Sequence, residues 1–288
     1  MRPRFGRSGA CHSARHVHER ITEATVSRYT AVEHAAFARD FERDGMVVLR
    51  NHFPQETLAA WQHAFAPLLQ AKIDAKATAV RGENRHYVTL PFVGTFADES
   101  IFCDPDVLAI VERVAGPDPV MCQLATDTPL AGSTYQDVHR DTPELFEGEA
   151  ETPSFQLAVN FPLCDVTAEN GPFETTLCTH RVNKEEAMAA YGRGEYPLVA
   201  VPMKLGDVMI RDVRALHRGT PNRTPLPRPM VVIGYSRSWY FRPEVHIDVP
   251  RDVFQSLSPR AKRLLRSMPQ VDDAGMLADG ENYLKFAY

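Results

Sequence analysis

Four residues of this chain have the side-chain chemistry and the spacing of a metal centre with a neighbouring anion-binding group. His139 and Asp141 are separated by one residue, His217 lies in the second half of the chain, and Arg228 follows it by eleven positions. Two imidazoles and one carboxylate can hold a ferrous ion by one face and leave its other positions open to exogenous ligands. An arginine suits the distal carboxylate of an acid docked on such an ion, because its guanidinium can donate two parallel hydrogen bonds.

The His-x-Asp tripeptide is a weak signal when it is taken alone. In a chain with 11 histidines, composition by itself nearly predicts one such tripeptide. The context strengthens the signal, because alternate residues of an extended strand point to the same side, so His139 and Asp141 can face one cavity while Arg140 points elsewhere. His217 and Arg228 each lie at the margin of a predicted strand, so we expect the four residues to form one site.

The elements that position these residues are predicted to be mainly strands. Short runs rich in β-branched and aromatic residues alternate with turn signals such as Asn170-Gly171-Pro172 and Gly206-Asp207. Many short strands with such turns are typical of a double-sheet jelly roll. The predicted strands cover residues 120–126, 155–163, 173–177, 198–203, 208–211 and 229–240.

Helices are predicted mainly in the first half of the chain, where apolar residues recur at helical spacing. Pro54 and Pro105 suit a first helical turn, Asp104 suits a helix cap, and Gly45 suits a helix end. The predicted helices cover residues 33–44, 54–71, 104–115 and 258–267, and a short buried strand covers 46–49.

We expect a single domain over residues 31–288, mostly β with flanking helices, because neither a linker nor a repeat interrupts this range. Residues 1–30 are predicted to form a disordered tail, since the first 20 are rich in Arg and poor in large apolar side chains. That composition fits an organellar transit peptide only weakly, and it lacks the apolar core of a secretory signal.

Composition limits the function classes. The net charge of −5 and the pI near 6.1 give no general attraction for nucleic acid or anionic membranes. No apolar run reaches the roughly 18–20 residues that a membrane span needs. The five cysteines are odd in number and form no Cys-x-x-Cys motif, which indicates reduced thiols and a cytoplasmic location. We therefore expect a small-molecule substrate, and the oligomeric state stays open.

The sequence resembles the phytanoyl-CoA dioxygenase family of iron(II)- and 2-oxoglutarate-dependent oxygenases over roughly residues 35 to 268. The resemblance is carried by Phe41 to Leu49, by Glu169 to Phe173 with Thr179-His180-Arg181, and by the stretch from Gly206-Asp207-Val208 to Arg228. The family fold is a double-stranded β-helix, a cupin-like jelly roll, in agreement with the predicted strands.

By this resemblance, His139, Asp141 and His217 bind Fe(II), and 2-oxoglutarate chelates the metal while its 5-carboxylate pairs with Arg228. Dioxygen takes the remaining position. The carboxylate at Asp141 favours oxygenation over halogenation, since related halogenating enzymes have a small residue there. The expected reaction is hydroxylation of an unactivated C–H bond with release of succinate and CO₂, and other outcomes of a substrate radical remain open.

The resemblance implies two further co-substrate contacts and contains two departures. Gln123 occupies the region where the family places an amide beside the co-substrate. The hydroxyl residue that often lies two positions after the distal histidine is replaced by Gly219, which makes Thr220 the candidate for that contact. The loop over residues 175–178 lacks the usual Pro-Gly. We expect His180 and His246 to be structural.

Two alternatives stay open at this point. One is a non-catalytic jelly-roll protein that binds a metal and a ligand; the other is a jelly-roll metalloenzyme that uses Zn, Ni or Mn without 2-oxoglutarate. The substrate is expected to contact residues 85–96 and the acidic loop over residues 143–153. Acidic groups near the mouth would repel anionic CoA thioesters, which favours a neutral or cationic small molecule.

Overall fold

A computed structural model of the chain describes residues 26–75, 82–146, 152–242 and 245–272. The strands are β1 (Met46–Leu49), β2 (Arg85–Thr89), β3 (Val120–Pro129), β4 (Gln156–Pro162), β5 (Phe173–Thr176), β6 (Leu198–Val201), β7 (Val208–Asp212), β8 (His217–Gly219), β9 (Met230–Ser236), β10 (Val249–Pro250) and β11 (Gln270–Val271), of which the last two pair in parallel. At the centre is a six-stranded antiparallel sheet with the order β1-β7-β4-β9-β3-β2, and a smaller antiparallel sheet has the order β6-β5-β8.

Seven α-helices in the described ranges flank these strands, together with two short 3₁₀ helices. The α-helices are α1 (Ala31–Asp44), α2 (Gln55–Asp74), α3 (Glu99–Phe102), α4 (Pro105–Val114), α5 (Lys184–Gly192), α6 (Arg251–Ser256) and α7 (Pro259–Leu264), and the 3₁₀ helices are Gly94–Ala97 and Thr179–Arg181. None of these helices is long and apolar enough to cross a bilayer.

Helix α1 begins and ends where its sequence favours it. Thr30 and Glu33 form a capping box, in which each side chain accepts a hydrogen bond from the other residue's backbone N–H. Gly45 ends the helix in the left-handed region, with φ of 81°. A Cβ atom there would lie only 2.7 Å from Nδ1 of His180, so glycine also allows this histidine to pack against the helix end.

The two faces of the six-stranded sheet have different roles because side chains alternate along each strand. On β4, Leu157, Val159 and Phe161 belong to the main hydrophobic core together with residues of the flanking helices. Their neighbours Ala158 and Asn160 line a cavity on the other face. The helices therefore cover one face, and the opposite face is available for a site.

The observed architecture is a jelly roll with flanking helices, as predicted from the strand pattern. The strand expected over residues 229–240 ends at Ser236, where pairing with Val120 and Gln156 ends as well. Strand β2 and helix α5 were not predicted.

Most of the predicted tail, residues 1–25, lies outside the described residues. Residues 27–29, which the prediction placed in the tail, instead make hydrogen bonds to the Asp106 carboxylate. This anchoring uses a buried acceptor that lies more than 70 positions away in the sequence, so local composition could not reveal it.

Candidate active site

The two candidate histidine ligands are held together by backbone hydrogen bonds. The N–H of His139 donates to the carbonyl of His217, and the N–H of His217 donates to the carbonyl of His139, both at 3.0 Å. This isolated antiparallel bridge attaches the segment around His139 to β8 and brings the ring centroids to 4.5 Å.

The Nδ1 atom of each ring faces a backbone carbonyl. Nδ1 of His139 lies 2.7 Å from the carbonyl oxygen of Asp137, and Nδ1 of His217 lies 2.8 Å from that of Ala215. Because a carbonyl can only accept, Nδ1 carries the hydrogen in both rings, and each neutral imidazole keeps its lone pair on Nε2. This arrangement orients histidines for metal binding through Nε2.

Asp141 completes the group of possible ligands. Its backbone N–H donates to the carbonyl of Val213 at 3.0 Å, so strand-like pairing positions it as well. Its carboxylate oxygens lie 3.9 Å from Nε2 of His139 and 3.5 Å from Nε2 of His217. Donors that each sit about 2.0–2.2 Å from one shared ion have such mutual separations, and the three candidate atoms lie within 4.8 Å of one another. The residues therefore fit a metal ion.

The charge state of Asp141 suits a ligand. Burial by itself raises the pKa of this carboxyl, but the positive charge around it, including the Arg211 guanidinium that donates to it, outweighs burial and holds the pKa well below the usual range. Asp141 is consequently an anion at neutral pH, as a metal-binding carboxylate must be.

These three residues lie in the wall of a cavity of about 750 Å³, a volume that includes its open mouth. A concave site with apolar walls and a few convergent polar groups is the usual form of a small-molecule site. Apolar side chains such as Met209, Phe173 and Val232 form part of its wall. Its other polar lining residues are Tyr87, Gln123, Asp127, Gln136, Gln156, Asn160, Arg211 and Arg228.

Arg228 lines the same cavity and has no ion-pair partner among the described residues. It is 2% exposed, its Nε atom has no hydrogen-bond partner in the described part of the chain, and burial lowers its pKa to about 10 against the opposing effect of Asp127. A buried guanidinium that remains charged at neutral pH and forms no ion pair with the described residues is suited to an anionic ligand.

The sheet register separates Arg228 from the candidate metal ligands. Arg228 precedes the first residue of β9, whereas Asp141 is bonded to Val213, just after Asp212 at the end of β7. Leu157 on β4 pairs with Asp212 on one side and with Tyr235, near the end of β9, on the other, so Asp212 and Tyr235 lie at the same height in the sheet. The cationic group and the possible metal site therefore lie toward opposite ends of one cavity.

The two remaining predicted contacts differ in their placement. Gln123 lines the cavity, and its amide donates to the hydroxyl of Tyr87. Gly234 makes room for it, since a Cβ atom on that neighbouring residue would lie 2.8 Å from Cβ of Gln123. Thr220 is not among the residues that line the cavity, and its hydroxyl donates to the carbonyl of Pro172 at 2.7 Å. The structure thus brings Gln123 to the other candidates and leaves Thr220 outside.

The segments expected to contact substrate have mixed placements. In residues 85–96, Tyr87 lines the cavity, but Val88 and Leu90 belong to the hydrophobic core. In the acidic loop, residues 147–151 lie outside the described residues, and the carboxylate of Glu144 accepts a hydrogen bond from the backbone of Lys184. His180 is buried against helix α1, in line with a structural role.

The sequence interpretation missed Arg211. It lies on β7, faces the cavity, and donates a hydrogen bond to Asp141 at 2.7 Å. A signal for it was available, because an arginine inside the apolar strand Val208–Asp212 must be paired with an anion or face a polar site.

Comparisons with known proteins identify similar sequences. Residues 41–230 match the family model for phytanoyl-CoA dioxygenase (PhyH). The dioxygenase olcK of Penicillium canescens is 26% identical over 238 residues, which cover 77% of this chain and 76% of olcK.

Solved structures that share the fold include SnoN and HygX. The alpha-ketoglutarate-dependent epimerase SnoN from nogalamycin biosynthesis aligns with a TM-score of 0.59 at 20% identity, over 73% of this chain and 85% of SnoN. HygX of Streptomyces hygroscopicus, solved with nickel, 2-oxoglutarate and hygromycin B, aligns with a TM-score of 0.56 at 16% identity, over 86% of this chain and 97% of HygX.

The family model spans most of the chain, including all three candidate ligands and Arg228. The cofactors expected from the sequence, Fe(II), 2-oxoglutarate and O₂, are the ones that this family uses. On these grounds the chain belongs to the phytanoyl-CoA dioxygenase family.

Proposed function

We propose that this protein is an Fe(II)- and 2-oxoglutarate-dependent hydroxylase in which His139, Asp141 and His217 bind the iron. The supporting observation is the placement of three mutually close donors at one end of a cavity that has the unpaired Arg228 toward its other end. When bound, iron together with 2-oxoglutarate and O₂ would provide the oxidising chemistry for a substrate C–H bond, with release of succinate and CO₂.

The residues of the chain divide the remaining tasks. Arg228 binds the 5-carboxylate of 2-oxoglutarate, because it is the cavity-lining cation without an ion-pair partner in the described ranges. The carbonyls of Asp137 and Ala215 keep both imidazoles in the Nε2-binding orientation. Apolar side chains such as Met209 and Val232 exclude water from the space between the two ends.

The primary substrate is proposed to be a neutral or cationic small molecule. Arg211 and Arg228 are the two cationic side chains that line the described part of the cavity, and both lie where the co-substrate is expected. Gln136, Gln156 and Tyr87 offer neutral hydrogen-bonding groups instead. Since no further cation is present in this lining to bind a phosphate, a CoA thioester is disfavoured. The structural neighbour HygX has been solved with a small molecule, hygromycin B, bound.

Anaerobic titration of the Fe(II)-loaded protein with 2-oxoglutarate tests the proposed site. A weak visible charge-transfer band should grow in and saturate at one equivalent, and the Arg228→Met variant should need far more 2-oxoglutarate. If the wild-type protein shows no band and releases no succinate with any substrate tested, it is not a 2-oxoglutarate enzyme. In that case a non-catalytic ligand-binding role, or another metal chemistry, replaces this proposal.

Product mass tests the hydroxylation itself. A screen of neutral, cationic and acyl-CoA compounds for stimulated succinate release identifies a substrate, and hydroxylation adds one oxygen atom to it. SnoN is an epimerase and SnoK a carbocyclase; an epimerised product keeps its mass, and ring closure or desaturation removes two hydrogens. Either of these results would overturn the hydroxylase assignment, and stimulation only by acyl-CoA compounds would overturn the proposed substrate class.

A further inference from the structure

We propose that Arg211 is a positioning residue that holds two carboxylates at once, that of Asp141 and the 1-carboxylate of the metal-bound 2-oxo acid. This inference rests on the proposed function and extends it to a residue on strand β7. It assigns the two cavity arginines to opposite ends of the same co-substrate.

The Arg211 guanidinium is fixed on several sides. Its Nη2 atom donates to Oδ2 of Asp141 at 2.7 Å, and its Nε atom donates to the side-chain oxygen of Asn160 at 3.2 Å. The ring of Phe173 lies beneath the guanidinium, with its centroid 5.0 Å from Cζ. These contacts leave the side chain little freedom, so its remaining donor points in a defined direction.

That remaining donor is Nη1, which is buried and has no hydrogen-bond partner within the described residues. The Arg211 side chain as a whole is 10% exposed. A buried charged donor without an acceptor is rare in a folded protein, and at a cavity wall it indicates that a polar ligand completes the site.

The ligand best matched to Nη1 is a carboxylate next to Asp141. The Nη1 and Nη2 atoms belong to the same guanidinium, so an anion bound by Nη1 lies beside the one bound by Nη2. A 2-oxo acid bound to the proposed iron has its 1-carboxylate next to the metal ligands. Two adjacent carboxylates repel, and one guanidinium that donates to both compensates for that repulsion.

A simpler role for Arg211 would be to neutralise the buried charge of Asp141. The two roles differ in their consequences. A neutralising residue affects the binding of metal and the stability of the fold, whereas a residue that also binds the 1-carboxylate affects every 2-oxo acid by a similar factor. Arg228, at the other end, should affect only acids that have a 5-carboxylate.

The test compares Arg211→Met and Arg211→Lys with the control Arg218→Met. Arg218 forms an equally short ion pair, 2.7 Å from Glu174, but is not among the residues that line the cavity. Two acids are titrated anaerobically into each Fe(II)-loaded protein: 2-oxoglutarate, and 2-oxopentanoate, which has a methyl group in place of the 5-carboxylate. Mn(II) affinity without acid is measured by electron paramagnetic resonance, and thermal unfolding is recorded in parallel.

We expect Arg211→Met to raise the dissociation constants of both acids by a similar factor of at least ten, and to shift the charge-transfer band. Arg211→Lys should recover part of this loss, and Arg218→Met should match the wild type. Equal binding of both acids by Arg211→Met and wild type would overturn the inference, as would a loss confined to 2-oxoglutarate or to Mn(II) affinity. If Arg211→Met does not fold, Arg211→Lys decides, since wild-type affinity and an unshifted band in that variant contradict a two-carboxylate role. Absence of any band in the wild type would instead reject the proposed function.

Discussion

The molecule contains two buried clusters of histidine and aspartate that look alike by composition. In one, His139, Asp141 and His217 place candidate ligand atoms within 4.8 Å of one another, and in the other His52 does so with the carboxylates at positions 104 and 106. Only the first of these two clusters lies at the described cavity. The contrast shows which structural details separate a possible metal site from a structural hydrogen-bond network.

In the second cluster, the carboxylates are already occupied. Oδ1 of Asp104 accepts from the backbone N–H groups at the start of α4 and lies 2.9 Å from Nε2 of His52. Asp106 accepts from the Ser27 hydroxyl, from the backbone of residues 28 and 29, and lies 2.7 Å from Nε2 of His34. Because a carboxylate accepts, Nε2 carries the hydrogen in His34 and His52, and these nitrogens have no lone pair to offer a metal.

In the first cluster the tautomer is the opposite one, since backbone carbonyls bind Nδ1 of His139 and His217. The lone pairs then lie on Nε2, on the side of Asp141. Both clusters contain the same residue types. Whether a histidine can bind a metal through Nε2 depends on whether a hydrogen-bond acceptor lies at Nδ1 or at Nε2.

The substitution with the largest expected effect removes a residue of the first cluster. His139→Ala removes one of the three proposed iron ligands, so we expect turnover to fall by at least about 1000-fold and the charge-transfer band to disappear. The metal content after dialysis, measured by mass spectrometry, should fall as well. His52→Ala is the matched control and should retain both iron and band. A His139→Ala protein with wild-type iron content and activity would contradict the proposed ligand set.

Arg228→Met tests the other end of the cavity. Loss of a charge-assisted hydrogen-bonded pair of about 1.5–3 kcal/mol corresponds to a KM for 2-oxoglutarate that is roughly 10- to 150-fold higher. The kcat at saturating 2-oxoglutarate should change little, because Arg228 lies away from the metal ligands. A steady-state titration of 2-oxoglutarate measures both constants, and an unchanged KM would remove Arg228 from the co-substrate site.

Asp106→Ala tests the second cluster through stability. Asp106 is 1% exposed, and its loss leaves several buried donors without an acceptor, so we expect destabilisation of about 3 kcal/mol. Chemical unfolding measures this effect, and iron binding should persist in the folded protein. Asp272→Ala, which removes an exposed ion pair with Arg251, should cost about 1 kcal/mol or less. Loss of iron from folded Asp106→Ala would contradict a purely structural second cluster.

The smallest effect concerns His180, which is buried and has no carboxylate hydrogen-bonded to its ring nitrogens in the described part of the chain. Burial lowers its pKa, and this outweighs the Asp212 carboxylate, which raises it. In the unfolded chain this residue therefore binds a proton below about pH 6.5, whereas in the folded chain it stays neutral down to a lower pH. The free energy of unfolding should decline as the pH falls from about 6.5 toward the lower folded pKa.

The His180→Gln variant isolates this contribution. The difference in unfolding free energy between wild type and variant should narrow progressively as the pH falls below about 6.5. A series of chemical unfolding curves between pH 5 and 8 measures it. A difference that stays constant with pH would show that His180 titrates alike in the folded and unfolded states.

Much of the architecture was readable from the sequence. The capping residues Thr30 and Glu33, the left-handed Gly45, and the N-cap Asp104 act within a few neighbouring residues, so the ends of α1 and α4 follow from local chemistry. Strand alternation likewise indicated that His139 and Asp141 share one side. Residue chemistry and strand margins pointed to His217 and Arg228 as well, and the family resemblance supported that choice through motifs that are stretches of consecutive residues.

The assignments that sequence could not make depend on distant partners. Arg140, Arg211 and Arg214 are all buried arginines near the ligands in sequence or space, yet only Arg211 lines the cavity. Arg140 donates to the carbonyl of Thr179, and Arg214 pairs with Asp212. Alternation along a strand predicts which residues share a face. The neighbouring strands and loops determine whether that face lines the cavity or contacts other protein groups.

The sequence by itself determined most of the elements and the alternation, because these depend on residues that are close along the chain. It also supplied the candidate ligands, through their residue types and the family resemblance. Tertiary structure alone decided the tautomers of His139 and His217, the hydrogen bond of Thr220 to Pro172, and the contact between Arg211 and Asp141. Those features depend on hydrogen bonds whose direction and partners are set by strand register and loop geometry, and a linear pattern of residue types does not specify these.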